Sequence, residues 1–255
     1  AGIGIFLFIK LLAPAPKTKS KIAEAVNTVP IKDRPYVTLA PASGGKHPLG
    51  TEVAITVHNT TLQATKAEYE LEYQAGSLLQ GAFGTMNFAD DRLPTTKVLL
   101  LGTCSAGGKC DYNKEVTGGT LLLRLSGGAQ KFAVKGEWSY QQMAARDGKF
   151  SSRDSKFRID VGPKGLPASA YMIIMQPMGL PKAIDGTVVA GPYHAATSET
   201  KSPPSITVSI RLTDTVTTAQ LLGWTGSSWK KYPSTLADST LTATVDRLTT
   251  FIVTD

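Results

Sequence analysis

Two cysteines are the residues of this chain whose type and spacing point most directly to a defined chemistry. Cys104 and Cys110 lie in the Gly-rich stretch GTCSAGGKCDY, and they are the only cysteines among 255 residues. Zinc sites use Cys pairs of shorter spacing that are repeated or joined to histidines, whereas the histidines here are scattered along the chain. The pattern favours a Cys104–Cys110 disulfide and no metal site. A disulfide indicates a compartment outside the reducing cytosol.

The sequence offers few candidates for catalysis. Ser105 lies in a stretch similar to the nucleophile elbow G-x-S-x-G, but the spacing is wrong by one residue and no long amphipathic helix accompanies it. A catalytic cysteine would need a histidine beside it in space, which the sequence does not reveal. A pair of separated carboxylates of the glycosidase type would also escape detection, and Asp90 and Asp91 are the first to inspect. We expect no enzymatic activity and no cofactor.

Near the carboxyl end, the sequence WKKY places aromatic rings beside lysines. Exposed aromatic faces bind sugars, and they bind cations as well. A candidate ligand surface is therefore formed by Trp229, Lys230, Lys231 and Tyr232. The alternative is a hairpin that packs its tryptophan into a β-sandwich.

An apolar stretch, IGIFLFIKLLA, covers residues 3–13 and contains a single lysine. Its length fits a signal-peptide core or the distal half of a membrane-spanning helix. We predict that residues 1–13 are an anchor or assembly segment, covered either by membrane lipid or, through strand addition, by an identical subunit. The side chains expected to make this contact are Ile3, Ile5, Phe6, Leu7, Phe8, Ile9, Leu11 and Leu12.

The formal net charge of +7 is compatible with an anionic partner such as a cell-wall polyanion or glycan. One group of lysines surrounds the apolar segment: Lys10, Lys17, Lys19 and Lys21. A second basic group near mid-chain is interleaved with Asp147, Asp154 and Asp160, which cancel much of its field. We therefore expect a solvated surface at mid-chain and no nucleic-acid partner.

Composition and periodicity divide the rest of the chain into three parts. Residues 14–50 are rich in Pro, Gly and Lys without sustained periodicity, which predicts a linker, with one strand candidate at residues 36–39. Short runs with period-2 alternation then recur between turn signals, which predicts a first β-sandwich over residues 51–145 and a second over residues 146–255. The clearest runs are TEVAITVHN, AEYELEY, KFRIDV and SITVSIRL. In AEYELEY the alternation predicts that Tyr69, Leu71 and Tyr73 share one face and that Glu70 and Glu72 face water. The apolar run YMIIMQPM, residues 171–178, predicts a buried strand.

The opening runs TVHN and YELEY, and a closing stretch containing Trp224, Trp229, Val245, Phe251 and Val253, resemble the immunoglobulin-like β-sandwich modules of prokaryotic secreted and cell-surface proteins. The resemblance is strongest over residues 205–255. It implies an all-β chain with two tandem antiparallel Ig-like domains, and it transfers no catalytic residue. The antibody branch is excluded because its cysteines connect the two sheets across a long separation.

These observations together predict a non-enzymatic structural or adhesion protein of the cell envelope, located outside the cytoplasm. In this interpretation the apolar segment tethers the protein and the two β-sandwiches are displayed beyond the linker. The alternative is a self-assembling subunit of an extracellular filament or pilus, with the same segment as its polymerisation element. A carbohydrate-active enzyme is the third candidate.

Overall fold

The structure is a computed structural model, and it describes residues 24–42, 46–60, 62–88, 92–214 and 216–255. These residues form an all-β molecule of antiparallel sheets. A short 3-10 turn, Ile31–Asp33, precedes the first strand. The strands of the first half are β1 (Val37–Pro41), β2 (Glu52–Val57), β3 (Lys66–Ala75), β4 (Leu78–Asn87), β5 (Thr95–Leu100), β6 (Gly102–Cys104), β7 (Cys110–Tyr112), β8 (Val116–Ser126) and β9 (Phe132–Gln142).

A single helical turn, α1 (Met143–Arg146), links the two halves and contains the boundary drawn from composition. The strands that follow are β10 (Lys149–Ser151), β11 (Phe157–Asp160), β12 (Tyr171–Met175), β13 (Val188–Thr197), β14 (Ile206–Arg211), β15 (Gln220–Trp224), β16 (Trp229–Tyr232), β17 (Ser234–Ala237), β18 (Thr240–Val245) and β19 (Thr250–Thr254). The sequence predicted the longer strands but not the short β6, β7, β10 and β17. Strands β15 and β16 form a hairpin at Trp229, which was the alternative interpretation of WKKY.

One nine-stranded sheet, which we call the shared sheet, runs through both halves in the order β16-β15-β19-β13-β12-β9-β8-β3-β4. Its two halves join where β9 of the first half pairs with β12 of the second, with Tyr140 opposite Ile173. The N-terminal small sheet has the order β1-β2-β5, and the C-terminal small sheet has the order β10-β11-β14-β18-β17. A separate hairpin is formed by β6 and β7.

The two small sheets pack against opposite faces of the shared sheet. Successive side chains of a strand point to opposite faces. In β12, Ile173 and Met175 enter the core beneath the N-terminal small sheet, whereas Met172 and Ile174 enter the core beneath the C-terminal small sheet. The fully apolar run YMIIM is therefore explained by burial on both faces. The molecule consists of two sandwiches that share one sheet.

Strand β1 lies within residues 14–50, which composition assigned to a linker. It pairs in register with β2, so that Leu39 faces Ile55. Val37 and Leu39 are fully buried in the first core. This part of the chain is thus the edge strand of the N-terminal small sheet, and the strand candidate at residues 36–39 lies in it.

Gly118 and Gly119, which resemble a turn signal in the sequence, lie inside β8. A Cβ atom on Gly119 would lie 2.1 Å from the carbonyl oxygen of Glu72 in the neighbouring strand. Gly118 has a φ of +106° and meets the backbone of Trp138 in the same way. These glycines permit a close approach of neighbouring backbones rather than a reversal of the chain.

Candidate functional site

The Cys104–Cys110 disulfide is present and closes the exposed β6–β7 hairpin, which confirms the pairing predicted from sequence. The two residues lie directly opposite each other in the hairpin, with a Cα–Cα distance of 4.0 Å. Such a short closed loop restricts the unfolded chain only modestly. The bond therefore acts as a local staple of the hairpin and does not connect the two sheets of a sandwich.

A histidine that is distant in sequence lies beside this disulfide. The possible ligand atoms of His47, Cys104 and Cys110 all lie within 4.8 Å of one another. His47 Nδ1 is also 3.2 Å from the hydroxyl of Tyr112. Because the two sulfurs are bonded to each other, they are not the thiolates that a metal ion requires, so the group offers a single imidazole. Sequence spacing alone could not bring His47 to this hairpin.

The candidate ligand surface at residues 229–232 forms the edge strand β16. Tyr232 is only 4% exposed and packs in the second core, with its ring 6.5 Å from that of Phe251. Trp229 is partly buried, and its indole N–H donates to the carbonyl of Lys182 over 3.1 Å. Lys230 and Lys231 are exposed. Because successive side chains of β16 point to opposite faces, Tyr232 points into the core, and these four side chains do not form one accessible surface.

Asp246 ties Lys230 and Tyr232 to the C-terminal small sheet. Lys230 Nζ donates to Asp246 over 2.7 Å, and the hydroxyl of Tyr232 donates to the other carboxylate oxygen. The hydrogen bond from Lys230 holds the pKa of Asp246 well below its usual range. Burial, followed by the hydrogen bond to Asp246, raises the pKa of Tyr232 to about 12. We interpret this group as a structural contact between β16 and the β18–β19 connection.

The most exposed apolar side chains lie at the free edge of the shared sheet. Strand β4 ends the sheet beside β3, so its outer backbone groups have no strand partner among the described residues. Phe83 is 86% exposed and Leu79 is 67% exposed. Long, exposed and apolar edge strands attract further chains, and soluble proteins usually protect them. This edge is therefore the leading candidate for an interaction site.

A row of outward-facing carboxylates lies beside this edge. We call the surface formed by Glu68, Glu70, Glu72, Leu79, Phe83 and Arg124 the edge surface. It forms a groove of about 690 Å³ on the face of the sheet opposite the first core. In β3, Tyr69, Leu71 and Tyr73 face the core, and the alternate glutamates face outward, as the sequence pattern predicted. These six residues are among those that line the groove.

Arg124 connects the edge surface to the first described residue of the chain. Its Nε lies 3.0 and 2.8 Å from the two carboxylate oxygens of Glu24, and its Nη1 lies 3.1 Å from Glu70. The hydrogen bond to Glu70 is the largest cause of a raised pKa of the Arg124 guanidinium. The contact with Glu24 places the start of the described chain over β8, next to the carboxylates of β3. No local sequence pattern indicates this bridge.

A polar network joins the N-terminal small sheet to the C-terminal half of the shared sheet. The hydroxyl of Thr250 lies 2.6 Å from the hydroxyl of Tyr36 and 2.9 Å from His194 Nδ1. The ring of His58 lies 4.7 Å from that of Tyr36, tilted by 30°, and His58 Nε2 lies within hydrogen-bond distance of the Thr38 hydroxyl. Burial, with a smaller contribution from His58, lowers the pKa of His194 to about 3. The hydrogen bond between Tyr36 and Thr250 connects the two halves of the molecule.

Several predicted site residues lie outside the described residues. These are all of the anchor residues, Ile3, Ile5, Phe6, Leu7, Phe8, Ile9, Leu11 and Leu12, and the carboxylates Asp90 and Asp91. Within the described parts of the chain, no helix has the length and apolar character needed to cross a membrane.

No family model matches the chain, and no curated protein matches it. The features of the described residues that bear on function are the edge surface, the disulfide and the shared sheet.

Proposed function

We propose that this chain is a non-enzymatic structural or adhesion protein of the cell envelope, tethered outside the cytoplasm by its apolar segment, residues 1–13. The observation that carries the proposal is the shared sheet, which joins both sandwiches through the β9–β12 pairing. Because the two cores pack on opposite faces of one sheet, the halves cannot swing independently as domains on a flexible linker would. A stiff body of this kind suits a protein that displays or transmits a contact.

The position of the first described residues supports the tether. Glu24 is held by Arg124. Asn27 Nδ2 donates to the backbone carbonyl of Lys135 in β9, and the backbone N–H of Lys135 donates to Asn27 Oδ1. A segment that follows the membrane attachment must be held in this way if the attachment is to orient the body. The disulfide supports an address outside the cytosol.

Cell fractionation tests the tether directly. The wild-type chain should sediment with membranes and be released by detergent but not by high salt, because an apolar contact resists salt. Phe6→Asp/Phe8→Asp should leave the protein in the soluble extracytoplasmic fraction. The matched control, Leu49→Asp/Val98→Asp, changes two exposed apolar residues of the body and should still sediment. Sedimentation of the Phe6/Phe8 variant with membranes would overturn the proposal.

A second candidate function is favoured by the free edge at β4. In this proposal the protein is the subunit of an extracellular filament, and an extended apolar segment of one copy adds a strand to β4 of the next. The exposed Phe83 and Leu79 on that strand support it. A ladder of oligomers that resists heat and detergent on a gel, and that is lost in the Phe6→Asp/Phe8→Asp variant, would favour the filament over the lipid tether.

A further inference from the structure

We propose that a cavity between the two halves of the molecule binds an oxyanion, the phosphate or carboxylate group of a negatively charged ligand. This cavity, which we call the basic cavity, has a volume of about 320 Å³. Its charged lining residues are Arg34, Lys135, Asp154, Lys156 and Arg211. The site itself does not depend on the tether. Only the identity of the polymer that would carry the anionic group rests on the proposed function.

The walls of the basic cavity come from segments that are far apart in the sequence. Arg34 directly follows the 3-10 turn, and Lys135 lies in β9. In the second half, Lys156 directly precedes β11, and Arg211 is the last residue of β14. The irregular part of β13 around Gly191 forms a further part of the wall. Each half therefore supplies two cations, and the cavity exists because the shared sheet brings the halves together.

Asn27 holds the two cations of the first half in place. Arg34 Nη2 donates to the backbone carbonyl of Asn27 over 2.8 Å, and Arg34 Nε donates to that of Val29 over 2.6 Å. The side chain of Asn27 exchanges two hydrogen bonds with the backbone of Lys135. A guanidinium has five N–H donors, so three of those of Arg34 donate to no described residue. The group is thus fixed in position and still has donors for a ligand.

Backbone pairing places the two cations of the second half beside each other. The backbone N–H of Arg211 donates to the carbonyl of Lys156 over 2.8 Å. Lys156 Nζ donates to the hydroxyl of Thr213 over 2.9 Å. An ammonium group has three N–H donors, so two of those of Lys156 donate to no described residue.

Asp154 is the one carboxylate among the described lining residues, and both of its oxygens already accept hydrogen bonds. Its Oδ1 accepts from the hydroxyl of Ser152 and from the backbone N–H of Lys156. Its Oδ2 accepts from the side-chain amide of Gln176 over 2.7 Å and from the hydroxyl of Tyr193 over 2.9 Å. None of these four donors is the side chain of a lysine or arginine. The carboxylate therefore organises the wall of the cavity without forming an ion pair with its cations.

The four cations of the basic cavity have no carboxylate within ion-pair distance among the described residues, whose ion pairs involve other cations. Burial lowers the pKa of the Arg34 guanidinium, as expected for a charge that is partly removed from water. An oxyanion between such cations would accept charge-assisted hydrogen bonds from them and offset their mutual repulsion.

The size and composition of the cavity favour a small anionic group. Its volume lies at the lower end of the range of about 300–1,000 Å³ that is typical of small-molecule sites. Arginine presents its donors in a planar fork that matches phosphate and carboxylate, and lysine adds a compact positive charge. For a protein of the cell envelope, this group would belong to an anionic surface polymer, which is the step that rests on the proposed function. Phosphodiester polymers and polymers of sugar acids both present oxyanions.

A nuclear magnetic resonance titration of the ¹⁵N-labelled full chain, held in detergent, tests the site. Inorganic phosphate and glucuronate are the two test ligands, and chloride keeps the ionic strength constant. We expect saturable shifts of the backbone amides of Lys156 and Gly191 with one ligand or with both, and the stronger response identifies the chemistry of the anionic group. Glucose, which lacks the carboxylate, should cause no such shift. The absence of saturable shifts with both anions, or equal shifts with glucose, would overturn the proposal.

Substitution of two lysines gives the second measurement. Lys135→Gln/Lys156→Gln should weaken binding about tenfold or more, because it removes two charge-assisted contacts. The matched control Lys164→Gln/Lys201→Gln removes the same charge from exposed positions elsewhere and should bind like the wild type. The same spectra show whether each variant is folded. If the first variant does not fold, Arg211→Gln, at an exposed position, replaces it and should also weaken binding. Binding of wild-type strength in a folded variant of the basic cavity would contradict the site.

The lysine variant also separates this inference from the proposed function. Because it leaves residues 3–12 intact, it should sediment with membranes as the wild type does. If the wild type binds an anion but does not sediment with membranes, the tether fails and the site stands. If the wild type sediments but binds neither anion, the site fails and the tether stands.

Discussion

Ile173 and Ile174 are adjacent in β12, yet their side chains lie in two different hydrophobic cores. Ile173 packs in the first core with Trp138, and Ile174 packs in the second core with Phe251. Both are almost completely buried. A single strand thus couples the stability of the two sandwiches, since loss of order in one removes a wall of the other.

This coupling predicts that the two halves unfold together. Ile173→Ala and Ile174→Ala should each lower the free energy of unfolding by about 2–4 kcal/mol, as expected for a large-to-small change in a packed core. Urea denaturation followed by fluorescence and by far-UV circular dichroism should give coincident single transitions for both variants. The control Val98→Ala, at a half-exposed position of β5, should change stability by less than about 0.5 kcal/mol. Two separated transitions would show that the halves are independent.

The sequence predicted where β12 and its neighbouring strands lie along the chain, but it did not predict which strands pair with each other. Alternation in β3 indicated which of its residues face the core and which face water, and an unbroken apolar run indicated that β12 is buried. Neither pattern specifies which strand lies beside which, because pairing depends on contacts between distant segments. The shared sheet could therefore not be predicted, and two separate sandwiches were the simplest expectation.

For the candidate site, too, contacts between distant segments of the chain could not be predicted from the sequence. Cys104 and Cys110 are neighbours in the chain, so their pairing could be inferred from spacing. The outward phase of Glu70 and Glu72 was also visible in the sequence, whereas the exposure of Phe83 depends on β4 being the last strand of the sheet. The contact between Glu24 and Arg124 joins residues far apart in sequence and leaves no local signal.

The polar network at His194 predicts a loss of stability in acid. The pKa of His194 is lowered to about 3 in the folded protein, from an ordinary value near 6.5. Between these values the unfolded chain binds a proton that the folded chain does not, so the free energy of unfolding falls as the pH falls through this window. The contribution is at most about 1.4 kcal/mol per pH unit.

Urea denaturation at a series of pH values from neutral to mildly acid measures this slope. His194→Gln keeps a polar group beside Thr250 and should flatten the dependence. Ser227→Ala, an exposed change that alters no ionisable group, should retain the wild-type slope. An unchanged slope in the His194 variant would assign the acid sensitivity to other groups.

The disulfide should stabilise the chain only modestly. Removing it in Cys104→Ser/Cys110→Ser should lower the free energy of unfolding by about 2 kcal/mol or less, because the closed loop is short. The fold should persist, since neither cysteine belongs to a hydrophobic core. Thermal denaturation of this variant, compared with the wild type with and without reductant, measures the effect. Global unfolding on reduction would contradict a local role for the bond.

The free edge at β4 predicts a self-association that can be removed without loss of stability. Phe83→Lys places a charge on the exposed edge and should weaken association measured by sedimentation velocity. The melting temperature should change little, because the side chain is 86% exposed. Val98→Lys, an exposed position on the N-terminal small sheet, is the matched control and should associate like the wild type. Equal association of both variants would exclude the β4 edge as the contact.

Both proposed functions require residues 3–12 to be covered by something other than the body of their own chain. A photoreactive amino acid at position 8, activated in intact cells, reports what lies against the segment. We expect adducts with membrane lipid, or with identical subunits if the protein forms filaments. Adducts confined to residues 24–255 of the same chain would show that the segment folds back into its own body, and would overturn both the tether and the filament.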